Sequence, residues 1–148
     1  MKSIQKYQSH FIAHLNKFSL AREPKQLYDP VQYILKLGGK RLRPMLTLMT
    51  TDCFGGEISN ALDASLAIEL FHNFSLIHDD IMDKAPLRRG KQTVHEKWDI
   101  NTGILSGDAM LIMAYKLLES YNSKYFKQLT TLFSNTALEV CEGQQYDC

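Results

Sequence analysis

Apolar residues recur along this chain at steps of three and four, the period of an amphipathic helix. Ile4, Tyr7, Phe11, Leu15 and Phe18 predict a first helix over 3–18. Glu23-Pro24 interrupts the pattern, and Pro30 suits the start of a second helix with Val31, Ile34, Leu35 and Leu37 as its apolar face, ending at Gly38-Gly39. A buried helix over 45–53 then runs into the turn Phe54-Gly55-Gly56-Glu57. The longest periodic run, 59–82, carries Leu62, Leu66, Leu70, Phe74, Ile77 and Ile81 as one stripe. Past Pro86, Trp98 is expected to anchor packing, and a helix over 101–120 follows with Ile104, Leu105, Leu111, Ile112, Tyr115 and Leu118 apolar. Gly107 sits inside that helix; a mid-helix glycine costs about 1 kcal/mol relative to alanine, which predicts close helix packing there. A last helix, from about position 125, carries Leu129, Leu132, Phe133, Ala137, Leu138 and Val140. No strand-like alternation bounded by turn signals interrupts this series, so the predicted fold class is all-α, in one domain.

Composition narrows the function classes. The chain has 148 residues and a formal charge of +1, with no long basic run, which excludes the electrostatic footprint of a nucleic-acid binder. Cys53, Cys141 and Cys148 are odd in number and lack the paired spacing of a zinc site, so a reduced, cytoplasmic setting is expected. Polar residues every few positions in 1–18 argue against a signal peptide or a membrane span, and a soluble protein is expected. His10 and His14 are one helical turn apart, but no third ligand is near in sequence, and they read as surface or helix-packing residues.

The chemistry is concentrated in SLIHDDIMDKAPLRRGKQTVH, from Ser75 to His95. Asp79, Asp80 and Asp83 crowd into five positions at the end of an apolar helix. Asp79 and Asp83 share a face, where like charges one turn apart repel by roughly 0.2–0.5 kcal/mol. A divalent cation is one candidate to offset that repulsion. The other reading is a solvated acidic face, the commoner case for acidic pairs on helices, against which the buried helix before the acids and the cationic run after Pro86 argue. Mg2+ fits best, since it takes one or two carboxylates and fills its other positions with water and phosphate oxygens. Arg88, Arg89 and Lys91 follow within a few residues, and guanidinium groups hold phosphate oxygens bidentately. At 100° per residue, His72, Ser75, Asp79 and Asp83 fall within a wedge of roughly 80°, a polar seam facing a cavity. Upstream, Gly38-Gly39-Lys40-Arg41-Leu42-Arg43-Pro44 puts three cations in four positions after two glycines, which suits an anion pocket and equally suits a helix cap with a solvated basic turn. Together these residues read as a site for a magnesium-bound diphosphate.

Taken in order, EPKQLYDP, GGKRLRP, ELFHNFSLIHDDIMDKAPLRRGKQTVHEKW, LSGDAML and EVCEGQQYD closely resemble the trans-isoprenyl diphosphate synthases, which make farnesyl, geranylgeranyl and longer polyprenyl diphosphates. The resemblance covers nearly the whole chain. It implies an antiparallel helix bundle around a central cavity, the isoprenoid synthase fold, usually homodimeric. It also implies Mg2+-dependent condensation of isopentenyl diphosphate with an allylic diphosphate, to a farnesyl or geranylgeranyl product. By the resemblance Asp79 and Asp83, with Asp80 in support, would hold metal, and Asp79, Asp83 and Arg88 would carry catalysis. Lys40, Arg43, His72 and Arg89 match contacts to isopentenyl diphosphate, Arg88 a contact to the allylic diphosphate, and Gln144 and Asp147 an element near the allylic substrate. Phe74, with Ser75 beside it and Phe71 almost one turn away, would set product length. Gln92 stands where many members have proline.

The family's second aspartate-rich motif and the lysine before it are not in these 148 residues. The expectation is therefore an incomplete bundle, the N-terminal portion of one synthase domain, inactive alone and prone to self-association. Two alternatives stay open: a terpene cyclase, against which the second anion site of GGKRLRP and His72 argues, and a non-catalytic helical subunit or interaction module.

Overall fold

A computed structural model describes residues 3–147, which leaves Cys148 outside the described residues. The described residues fold as seven helices: α1 (Ile4–Lys17), α2 (Lys25–Lys36), α3 (Leu42–Cys53), α4 (Ile58–Met82), α5 (Val94–Lys97), α6 (Ile100–Leu118) and α7 (Ser123–Asp147). Between α4 and α5 stand two strands of two residues, β1 (Leu87–Arg88) and β2 (Lys91–Gln92), paired antiparallel. The all-α expectation holds, with this minimal hairpin as the feature the periodicity missed. No helix among the described residues is long and apolar enough to cross a membrane.

The 25 residues of α4 form the axis. It packs between α3 and α6, with α1 and α2 also against it. Leu66, Leu70 and Ile77 of the predicted stripe are buried, and Leu62, Phe74 and Ile81 pack on the core from half-buried positions. The buried arc is wider than the stripe, since it also takes in Ser65, Glu69, Asn73 and Asp80. On α1, Tyr7 and Phe11 are fully buried, whereas Ile4 stays exposed. The Tyr7 hydroxyl lies 2.7 Å from the carboxylate of Asp52, and His14 Nε2 lies 2.7 Å from Asp63 Oδ1, so His14 is a helix-packing histidine; His10 is exposed.

The second helix starts earlier than expected. α2 begins at Lys25, after Pro24, and Pro30 lies inside it. A proline in a helix interior costs about 3 kcal/mol through a lost hydrogen bond and a clash with the preceding turn. Here it falls in the second turn, and its ring is buried together with Val31, Ile34 and Leu35. That burial offsets the local cost, a case of tertiary packing overriding propensity.

At Gly107, buried on α6, an added Cβ would lie 2.5 Å from Nε2 of His78 on α4. The absence of a side chain there lets the imidazole reach the α6 backbone and bond the Ile104 carbonyl oxygen at 3.1 Å. The predicted close packing is thus a packing of α6 against His78, next to the aspartates. α7 has no fully buried residue. Its backbone leans on α6, while Phe133 reaches toward α4.

Candidate diphosphate and metal site

Three non-glycine residues occupy the left-handed region, Arg41 at φ 53°, Lys84 at 54° and Arg89 at 52°, and all three border the predicted site. Backbone in that region is costly for residues with a Cβ and persists where surrounding contacts over-determine it. For Arg41 and Arg89 such contacts are present. Arg41 Nη1 lies 3.2 Å from Glu69 Oε2 in a nearly buried ion pair, and its Nη2 donates to the carbonyl of Leu35. Arg41 therefore fastens the loop before α3 and is not one of the cations offered to a ligand. Arg89 and Gly90 are the central residues of the β1–β2 turn, both at positive φ, as in a type I′ hairpin. Arg89 Nη1 donates to the carbonyl of Gly38, and a Cβ at Gly39 would lie 2.8 Å from Arg89 Nη2. The glycine pair thus admits a guanidinium against its backbone.

These contacts shape a cavity of about 330 Å³ bordered by Gly38–Arg43, Glu69, His72, Asn73 and Arg89. Lys40, Arg43 and Arg89 are exposed, and Lys40 makes no ion pair or hydrogen bond among the described residues. Arg43 Nη1 approaches His72 Nε2 at 3.4 Å. A guanidinium only donates, so Nε2 accepts and the imidazole proton sits on Nδ1. Burial first, then Arg43, Arg89, Arg88 and Arg41, push the His72 pKa from 6.5 down to about 4. His72 is neutral at pH 7. Because the unfolded chain binds this proton more readily, the associated stability is present above pH 6.5 and is lost as pH falls toward 4. His72→Gln is expected to flatten that part of the stability curve; urea midpoints at pH 7 and pH 4.5 in both proteins measure it, and parallel losses would refute it.

A second cavity, of about 440 Å³, adjoins the first. Its walls are Ile68, Phe71 and Ser75 of α4 and Leu129, Leu132, Phe133, Ala137 and Val140 of α7, and it shares Arg43 and His72 with the cationic pocket. The Phe71 and Phe133 rings meet edge to face, 5.3 Å between centroids. Phe74 stands behind Phe71, packed at 5.5 Å on that ring and at 4.9 Å on His78, and does not border the cavity.

The carboxylates occupy the last turn of α4, with no basic residue in it to answer them. Three negative charges here also oppose the negative end of the helix dipole. The three do not behave alike. Asp80 is buried and takes Arg88 as a fork, Nε to Oδ2 and Nη2 to Oδ1, both 2.8 Å. Both of its oxygens are thereby engaged, and Arg88 keeps Nη1 free of protein partners among the described residues. Asp79 is half-buried without such a partner; burial first and then Asp83 raise its pKa, against the pull of Arg88. Asp83 caps the helix and is exposed. An uncompensated pair of hard oxygen donors at a solvent-accessible helix end fits a Mg2+ ion that shares its coordination with a phosphate. Gln144 and Asp147 lie on the last turns of α7, beyond Val140, and border neither cavity. Glu69 and Asn73 escaped the sequence reading, although their four-residue step from Ser65 marks a polar seam within an apolar run.

The described residues thus form a helical bundle in which a cationic pocket adjoins an apolar cavity, with Asp79 and Asp83 at the end of the same central helix. The chain belongs to the polyprenyl synthetase family, whose model matches residues 24–148. It is 37% identical over 146 residues to a geranylgeranyl diphosphate synthase of Methanosarcina mazei, an alignment covering 97% of this chain and 45% of that protein. It is 40% identical over 128 residues to a geranylgeranyl pyrophosphate synthase of Geoglobus acetivorans, covering 85% and 40% respectively. The crystal structure of a geranylgeranyl pyrophosphate synthase superposes with a TM-score of 0.97 at 59% identity, covering 99% of this chain and 45% of that one. The chain thus spans less than half the length of these relatives.

Proposed function

We propose that this chain supplies the substrate-binding half of a trans-prenyltransferase site, one that joins isopentenyl diphosphate to an allylic diphosphate to give a farnesyl- or geranylgeranyl-sized product. The observation that carries the reading is the pair of adjoining cavities, one cationic and one apolar, with Arg43 and His72 common to both. The cationic pocket suits the diphosphate of one substrate, and the apolar cavity beside it the hydrocarbon tail of the other. Lys40, Arg43 and Arg89 hold the diphosphate of isopentenyl diphosphate, and neutral His72 donates Nδ1–H to it. Arg88, oriented by Asp80, presents Nη1 to the allylic diphosphate, near which Gln144 and Asp147 complete the site in the assembled enzyme. Asp79 and Asp83 hold Mg2+. When bound there, the ion would supply positive charge for a departing diphosphate, which a carboxylate pair cannot provide. The apolar walls from α4 and α7 keep water from the allylic cation until the double bond of isopentenyl diphosphate attacks and a proton is lost. Phe71 and Ser75, with Phe74 behind them, set how far the tail extends.

In this reading the 148 residues on their own bind diphosphates without condensing them, and Ile104, Leu105 and Ile112, exposed along α6, form part of a homodimer face. Lys40→Ala is the direct test. It is expected to weaken isopentenyl diphosphate about tenfold, the scale of one charge-assisted contact, and to change allylic diphosphate binding less than twofold. Calorimetric titration with each ligand in the presence of Mg2+ measures both, and equal losses for the two would refute the division of the site.

A further inference from the structure

We propose that Tyr33, on α2, is a positioning residue for the arginines of the β1–β2 hairpin; the proposal rests on the diphosphate reading of the site. A two-stranded ribbon of two residues a side is not stable by itself, so this one must be held from outside. Three of its anchors lie in or beside the site: the Arg88 fork on Asp80, Arg89 on the Gly38 carbonyl, and Thr93 Oγ1 on the carbonyl of Ala85 at 2.8 Å. The first two use the guanidinium groups that are to meet a ligand. The third joins only the two flanks of the hairpin to each other. An anchor to the rest of the fold that is independent of the guanidinium groups is therefore needed if Arg88 and Arg89 are to adjust to a phosphate without the ribbon moving.

Hairpin geometry fixes where that anchor attaches. Arg88 pairs with Lys91 across the turn, and Thr93 N donates to the carbonyl of Pro86 at 3.1 Å, so Leu87 and Gln92 between them form a non-hydrogen-bonded pair. The N–H and C=O of such a pair point away from the partner strand. The Gln92 carbonyl therefore faces outward, and the Tyr33 hydroxyl donates to it at 2.7 Å. The ring that carries the hydroxyl is itself fixed, edge-on to Trp98 at 5.4 Å and beneath the Lys97 ammonium at 4.5 Å. The same geometry explains why glutamine serves at position 92. A residue there needs a carbonyl for Tyr33 and no N–H for the ladder, a requirement that proline meets equally well.

Tyr33→Phe removes the hydroxyl and keeps the ring against Trp98. In this variant the amides of Lys91 and Thr93 are expected to exchange with deuterium several-fold faster, with melting temperature changed by less than about 2 °C. The affinity for inorganic pyrophosphate with Mg2+ at pH 7 is expected to fall about three- to tenfold, the scale of one hydrogen bond. A purely structural tyrosine would lower the melting temperature and leave affinity unchanged, which would overturn the proposal. If the unsubstituted chain binds no pyrophosphate, the diphosphate reading fails and the proposal with it. If the unsubstituted chain binds and the variant binds equally, only the role of Tyr33 falls.

Discussion

Asparagine at position 79 is expected to leave the protein at least as resistant to heat as the parent chain at pH 7, while turnover falls at least a hundredfold in a complete synthase carrying it. The two effects have one cause. Burial and the charge of Asp83 hold the Asp79 pKa above the ordinary carboxylate value. The folded state therefore takes up a proton more readily than the unfolded chain, and stability declines as pH rises through that window. An amide removes the charge and the decline with it. The same amide is a poor ligand for a hard cation, and a hundredfold loss corresponds to about 2.7 kcal/mol of transition-state stabilisation. Melting temperatures without metal, Mg2+-dependent pyrophosphate binding and steady-state turnover check the pair of outcomes. A variant that melts lower than its parent, or that retains Mg2+-dependent binding, defeats the assignment of Asp79 as a metal ligand.

Most of the helices were legible because apolar residues recur at a fixed period, and α1 and α4 bury or half-bury most of the stripe they show. On α6 the buried face is instead Gly103, Ser106, Gly107, Met110, Met113, Ala114 and Leu118, with Ile104, Leu105 and Ile112 exposed, and α7 has no fully buried residue. Two features resisted that reading for different reasons. The start of α2 was hidden because Pro30 looks like a first-turn residue, and only its burial with Val31 and Ile34 makes an interior position tolerable. The β1–β2 hairpin was hidden because Arg89-Gly90 is not among the usual pairs of a type I′ turn; its left-handed arginine is held by a long-range contact to Gly38, which sequence pattern does not encode.

The site divided in the same manner. Charges close in sequence, such as Asp79 with Asp83, were readable as a cluster. Which charges were already spent was not, because Asp80 and Arg88 are eight residues apart and Arg41 and Glu69 twenty-eight. Those two pairs engage two of the six cations in GGKRLRP and RRGK. They leave Lys40, Arg43, Arg89 and one nitrogen of Arg88 for ligands, a smaller and better oriented set than GGKRLRP and RRGK imply.

Phe71→Ala is expected to lengthen the product by at least one five-carbon unit in a complete synthase, and to do so more than Phe74→Ala. Helix geometry and the cavity agree on the reason. Phe71, Ser75 and Asp79 follow one another at four-residue steps, so they lie within roughly 80° of a common face, whereas Phe74 lies roughly 140° from Asp79. A tail that starts at the aspartates and runs along α4 thus meets Ser75 and then the Phe71 ring, which closes on Phe133 of α7. Removing that ring opens the wall and leaves Phe133 packed on Tyr115 at 4.9 Å. Phe74→Ala instead removes the support behind Phe71 and the contact to His78, which loosens the wall without removing it. Both changes cost stability, each less than the about 3–5 kcal/mol of a fully buried phenylalanine, since both rings are half-buried. Chromatography of dephosphorylated products from the two single variants and the double variant orders the contributions. Longer chains from Phe74→Ala with an unchanged length from Phe71→Ala would place the gate at Phe74 and refute the path drawn along α4.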